Sequence, residues 1–210
     1  KLSIMNNLTL HETGWALFDT ALGTCTMAWG PSGLLAVQLP EADAAATQAR
    51  LLQATGPLLQ ALPPPEVAAT MCSVTDLLAG RAHDFSSVVL DMGSVTPFQQ
   101  RVYALALCIA PGQTRTYGEL AKALGGRHLA RAVGHALGRN PFAPIVPCHR
   151  VLPAQGGMGG FSAHGGAATK LRMLINEGWQ PGAGLGASGA TAQLFGEVDR
   201  LAKAPPGPPG

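Results

Sequence analysis

The chain has 210 residues, 47% of them hydrophobic and 12% charged, with a formal net charge of +2. That length suits one large domain or two small ones with real cores, and no apolar run reaches the length of a membrane span. The N-terminal residues show no basic stretch leading into an apolar one with a cleavage site, and Cys25, Cys72, Cys108 and Cys148 are far apart with no C-x-x-C pair. The expectation is therefore a reducing cytoplasmic setting, with neither a zinc knuckle nor a disulfide framework.

In chain order, Gly14 to Phe18, Thr24 to Trp29 and Leu34 to Leu39 are short apolar runs separated by glycine and proline, which predicts a small antiparallel sheet. From Asp43 to Thr55 the apolar spacing turns helical. Leu62-Pro63-Pro64-Pro65 reads as a connector, a short helix is expected near Val74–Ala79, and Phe85–Leu90 reads as a further strand. His11, His83, Cys25 and Cys72 have no spacing that requires a metal and are read as core or surface residues.

A second unit starts near Ser94. Thr96 and Gln99 form a capping box around Pro97, and Val102, Leu105, Ala106 and Ile109 make one buried stripe before Pro111-Gly112. Cys108 beside that stripe is read as a buried small hydrophobe. Thr116 and Glu119 form another capping box, opening a helix over Tyr117–Leu124 that Gly125-Gly126 ends. A further helix runs from about Arg127 to Gly138, so residues 116–138 match a helix-turn-helix. Leu129, Val133 and Leu137 face inward, while Arg131, Gly134, His135 and Gly138 share the outer face. One long cation among very small residues lets a helix approach a nucleic-acid groove, against the alternative of a glycine-weakened surface helix. Charge favours the nucleic-acid reading. Residues 112–150 hold six Lys or Arg against Glu119 alone, whereas residues 1–111 hold four against eight Asp or Glu.

That basic block ends in Asn140-Pro141-Phe142-Ala143-Pro144-Ile145-Val146-Pro147-Cys148-His149-Arg150-Val151. Its three prolines disfavour a helix and stiffen a segment that sets a thiol beside an imidazole, the arrangement a nucleophile needs. The alternative is a structural Cys beside a solvent-facing His-Arg pair. Residues 155–166 are glycine-rich without a nucleotide fingerprint and are read as a pocket wall containing Phe161 and Ser162. Ala167–Asn176 is expected to be a helix with Leu171, Leu174 and Ile175 inward. Glu177 then sits in the last turn, where the helix dipole disfavours a carboxylate and a partner such as histidine is expected. Residues 181–210, rich in Gly, Pro and Ala, are read as a disordered tail.

Five segments in order then carry a family resemblance: Thr96-Pro97-Phe98-Gln99, Thr116-Tyr117-Gly118-Glu119-Leu120-Ala121, Ala130-Arg131-Ala132-Val133-Gly134 leading to Asn140-Pro141, Pro147-Cys148-His149-Arg150-Val151, and Lys170 through Glu177-Gly178. Together they resemble the O6-alkylguanine-DNA alkyltransferases, closely over about residues 94–178 and loosely before that. The fold implied is α/β, of the α+β kind: an N-terminal domain over 1–92 and a mostly helical domain over 93–180 that carries the helix-turn-helix and the Cys loop. The resemblance implies that Cys148 accepts the alkyl group of O6-alkylguanine in double-stranded DNA, irreversibly and once per molecule, with O4-alkylthymine left open as a second substrate. His149, oriented by Glu177, takes the thiol proton through a water, and Asn140 braces the turn. Tyr117 assists flipping of the base, Arg131 fills the space it leaves, and Ala130 and Gly134 lie with them along the minor groove. Arg150, Val151, Phe161 and Ser162 are placed at the DNA or the flipped base. No metal, cofactor or membrane is implied, and the protein is expected to be a monomer in solution. Val95 and Tyr103 depart from the residues common in the family, and Ala163-His164 lengthens the pocket loop. Two rivals remain: a lesion sensor that does not remove the alkyl group, against which Cys148 itself argues, and a Cys-His-Glu hydrolase unrelated to DNA.

Overall fold

A computed structural model of the chain describes residues 13–155 and 157–180. His11 and the tail expected over 181–210 lie outside those residues. Strands β1 (Gly14–Thr20), β2 (Gly23–Gly30) and β3 (Gly33–Gln38) form an antiparallel sheet in that order, paired from Gly14–Trp29 to Thr20–Gly23 and from Thr26–Gln38 to Gly30–Gly33. Their alternating side chains are covered on both faces. Trp15, Ala28 and Ala36 pack with Leu51 of α1 (Ala44–Thr55), and Cys25, Met27, Trp29 and Val37 pack with Val67, Met71 and Val74 of α2 (Pro65–Leu78).

Helix α1 starts where expected, capped by the Asp43 side chain accepting from the Ala46 amide. Helix α2 is longer than the sequence reading, which placed only 74–79 in it. Pro65 occupies its first turn, where a missing N–H costs nothing, so the proline run launches the helix as well as linking to it. Nor do residues 85–90 form a strand. They run beside β3 with a single bridge, Leu34–Leu90, in which the Leu34 amide donates to the Val89 carbonyl at 2.9 Å. Gly33, at φ +123°, makes this approach possible, since a Cβ there would lie 2.5 Å from the Val89 oxygen.

The second half is built from α3 (Pro97–Leu107), β4 (Arg115–Thr116), α4 (Tyr117–Ala123), a 3-10 turn (Arg127–Leu129), α5 (Ala130–Gly138), a second 3-10 turn (Cys148–Arg150), β5 (Val151–Leu152) and α6 (Ala167–Asn176). Both expected capping boxes are present, at Thr96–Gln99 and Thr116–Glu119. Val102, Tyr103, Leu105, Ala106, Ile109, Val133, Leu137, Phe142 and Val146 share one core. Tyr103 places its ring in that core and donates from its hydroxyl to the Ala136 carbonyl at 3.1 Å, tying α3 to α5. Cys108 is only half-buried, its thiol turned to the Ala104 carbonyl. In α6 the inward stripe is Lys170, Met173 and Leu174, whereas Ile175 is 52% exposed.

The two halves share packing. Ile145 and Met173 enter the core beneath the sheet, and the Val37 amide donates to the Pro141 carbonyl at 2.8 Å. Among the described residues no helix is long and apolar enough to cross a membrane, and no cluster of His, Cys, Asp and Glu is placed to hold a metal ion.

Candidate active site

The proline-rich segment folds around Asn140. Its amide nitrogen donates to the Val146 carbonyl at 2.8 Å while its oxygen accepts from the Phe142 amide at 3.0 Å. The loop between them is further closed by the Val146 amide on the Phe142 carbonyl, and both of those side chains are fully buried. A tight turn with the Cys148 amide on the Val146 carbonyl at 2.8 Å then presents the sulfur. Asn140 thus ties the Phe142 amide to the Val146 carbonyl across the loop that leads to Cys148.

His149 and Arg150 follow at once, and both are buried rather than facing solvent. The expected partner of Glu177 is His149, at 2.8 Å from Nε2 to Oε1. Arg150 is a second partner, donating from Nε at 2.9 Å and from Nη2 at 2.8 Å to the same carboxylate, and from Nη1 to the Ile109 carbonyl. This corrects the placement of Arg150 at DNA or base: its guanidinium fork is spent inward, neutralising a buried carboxylate. Burial opposes ionisation of Glu177, but the hydrogen bonds and charges of His149 and Arg150 outweigh it and bring the carboxyl down to about 2. For His149 burial dominates and lowers the pKa, with the nearby Arg150 and Lys170 cations adding to it against Glu177. At neutral pH the pair is therefore a carboxylate and a neutral imidazole. An ionised carboxylate only accepts, so Nε2 carries the hydrogen and Nδ1 carries the free lone pair. Nδ1 is buried and has no partner among the described protein atoms.

Burial also raises the Cys148 pKa, offset in part by the Asn140 side chain and the Lys170 charge. The resting group is a thiol, which a base must deprotonate before it attacks carbon. Cys148 lines a cavity of about 490 Å³ together with Tyr117, Gly134, Leu137, Gly159, Phe161 and Ser162. The sulfur is thus reachable. A second cavity of about 440 Å³, in the sheet half beside Trp29 and Val88, is lined by no thiol or imidazole.

The parallel pairing of β4 with β5 sets Tyr117 beside the Cys148 turn, since Thr116 pairs with Leu152. Gly159, at φ +66°, packs closely on Pro153, where a Cβ would lie 3.0 Å from Cγ, and comes into ordinary contact range of the Tyr117 hydroxyl. Arg131 is exposed on α5 and Ala130 is half-buried beside it. Arg131 lines a shallower groove with Phe98, His128, His135 and Arg139, apart from the thiol cavity. Val151 is fully buried behind the cavity, its carbonyl accepting from Lys170 Nζ at 2.7 Å.

Lys170 was missed by the sequence reading. It is fully buried, 5.8 Å above the Tyr117 ring centroid, and burial lowers its pKa to about 8 against the pull of Cys148. A signal existed: Lys170 stands seven residues before Glu177, so both lie on one helical stripe with Met173 and Leu174.

The family model described as the DNA-binding domain of 6-O-methylguanine DNA methyltransferase matches residues 97–179. A methylated-DNA–protein-cysteine methyltransferase of Methanothermobacter thermautotrophicus is 40% identical over 116 residues, 55% of this chain and 64% of that protein. The chain thus spans under two thirds of the length of such curated relatives. The crystal structure of Mycobacterium tuberculosis O6-methylguanine methyltransferase is 34% identical, with a TM-score of 0.63 over 81% of this chain and 96% of that one. A further structure, of Mycobacterium tuberculosis OGT in complex with DNA, is 32% identical with a TM-score of 0.61, covering 87% of this chain and 99% of that one. The antiparallel sheet with its helices is common to these structures and this chain.

Proposed function

The chain belongs to the O6-methylguanine-DNA methyltransferase family, and on that premise we propose that it repairs DNA by taking the alkyl group of O6-alkylguanine onto Cys148, once per molecule. The observation that carries this reading is the buried Glu177–His149 pair beside a thiol that lines a cavity. With Glu177 ionised and Nε2 protonated, Nδ1 of His149 receives the Cys148 proton through a bridging water. The thiolate attacks the alkyl carbon, the S–C bond forms as the C–O bond breaks, and the proton passes finally to the released guanine. Glu177 steadies the imidazolium formed in between, and Lys170 steadies the thiolate. A thioether has no leaving group that these residues could expel, so each molecule is consumed by one transfer.

Because O6 lies inside the base stack, the damaged nucleotide is swung out into the cavity, at a cost of roughly a few kcal/mol. Helices α4 and α5 act as the helix-turn-helix, with Ala130 and Gly134 letting α5 enter the minor groove and Arg131 filling the vacated space. Tyr117 assists the swing and donates to the base, while main-chain groups near Val151 and Ser162 read its edge. Support comes from the DNA-bound structure of a relative 32% identical and from the exposed position of Arg131.

The test is stoichiometry. With excess O6-methylguanine duplex, transfer should stop at one methyl per protein, and Arg131→Ala should slow reaction with duplex far more than with free O6-benzylguanine. Continued turnover would refute the single-use mechanism, and equal losses on both substrates would remove Arg131 from the flipping step.

A further inference from the structure

The cavity wall opposite α4 and α5 is rich in glycine and is anchored from inside chiefly by Phe161 and Ala163, which pack against the cores. Between Gly157 and Gly166 it holds five glycines, and Gly157, Gly159, Gly165 and Gly166 have positive φ. Away from Phe161 and Ala163 the loop has little side-chain packing, and such glycine-rich stretches open at low free-energy cost. Yet Ser162, which lines the cavity, is tied from outside: its carbonyl accepts from Arg50 Nη2 of α1, 112 residues earlier, at 3.1 Å. Arg50 is in turn held by Glu41, with Nε 3.1 Å from Oε1. Oε1 of Glu41 also accepts from Gln38 Nε2 at 3.2 Å, and the Glu41 amide donates to the hydroxyl of Thr47, which is fully buried. Glu41 is therefore a fixed post at the end of the sheet. Its other oxygen stands 3.9 Å from Nδ1 of His164, in the two-residue extension of the same wall.

We propose that Glu41 and Arg50 form a clasp by which the N-terminal half positions the Ser162 wall and so limits the size of alkyl group that the cavity admits. This rests on the alkyl-transfer reading and extends it to substrate size. Both are positioning residues, acting through Ser162 rather than touching the substrate. Exposed ion pairs of this kind contribute little to global stability. A clasp that restrains one glycine-rich loop shows itself in the loop's behaviour and leaves the thermal midpoint in place.

The experiment compares second-order alkylation rates with free O6-methylguanine and free O6-benzylguanine, so that DNA binding does not enter. In Arg50→Ala and in Glu41→Gln the benzyl-to-methyl rate ratio should rise by about three- to tenfold over wild type, a barrier difference of roughly 1 kcal/mol. The double variant should add nothing beyond either single change, because both act through one contact. Arg50→Lys, a cation without the fork to bridge Glu41 and Ser162, should fall between. An unchanged or lowered ratio in a variant with wild-type melting temperature overturns the clasp. A wild type that takes no alkyl group overturns the underlying reading instead.

Discussion

Replacing Glu177 with glutamine keeps the shape of the side chain and removes its charge. The carboxylate accepts three hydrogen bonds, one from His149 and two from Arg150, and its side chain is 2% exposed. An amide has one accepting oxygen, so at least one donor must face an N–H group, and the buried Arg150 cation loses its counter-charge. Bringing a carboxyl from its ordinary 4.5 to about 2 corresponds to about 3 kcal/mol of preference for the charged form in the folded protein. For a protein of this size that is roughly 6–12 °C in melting temperature at pH 7. The folded state holds this proton less tightly than the unfolded chain does. The contribution is therefore complete above about pH 4.5 and is lost as pH falls towards 2. Scanning calorimetry of wild type and Glu177→Gln across that range should show a wide gap at pH 7 that closes on acidification. The alkyl-transfer rate at pH 7 should fall by about a hundredfold or more, since His149 loses the group that fixes its tautomer. A gap below about 1 °C at pH 7, or one that stays constant down to pH 3, would refute the coupled-pair account.

Two further substitutions probe the surroundings. The folded state holds the Lys170 pKa at about 8 against an ordinary 10.5, so the unfolded chain binds more protons between those values and stability should rise with pH there; urea midpoints should show the rise in wild type and lose it in Lys170→Met. Tyr103→Phe keeps the buried ring but removes the hydroxyl that donates to the Ala136 carbonyl, which retains the Arg139 amide as its second donor; the change should cost about 0.5–1.5 kcal/mol in urea unfolding and leave the m-value unchanged.

Much of the fold was legible because its signals are local. The capping boxes at Thr96 and Thr116 and the apolar runs before each glycine turn mark elements without reference to the rest of the chain. The misreadings share a different cause. Pro65 and its neighbours carry the same residues whether they link two elements or open a helix, and only the buried stripe from Val67 to Leu78 distinguishes the cases. Residues 85–90 have strand-like composition but pair through one bridge, a matter of where the chain returns in space. In α6 hydrophobicity pointed to Ile175, while a lysine took the inward place because the Val151 carbonyl and the Tyr117 ring receive it. The carboxylate at Glu177 announced a missing partner through helix electrostatics, yet that Arg150 would share it could not be read from a dipeptide.

The sulfur at position 148 can be interrogated directly. Intact-mass spectrometry of the protein after incubation with O6-methylguanine duplex, followed by peptide mapping, should find one added methyl group, located on Cys148 and absent from Cys148→Ala. A methyl found instead on Cys25, Cys72 or Cys108, or repaired DNA with no mass gained by the protein, would contradict the account.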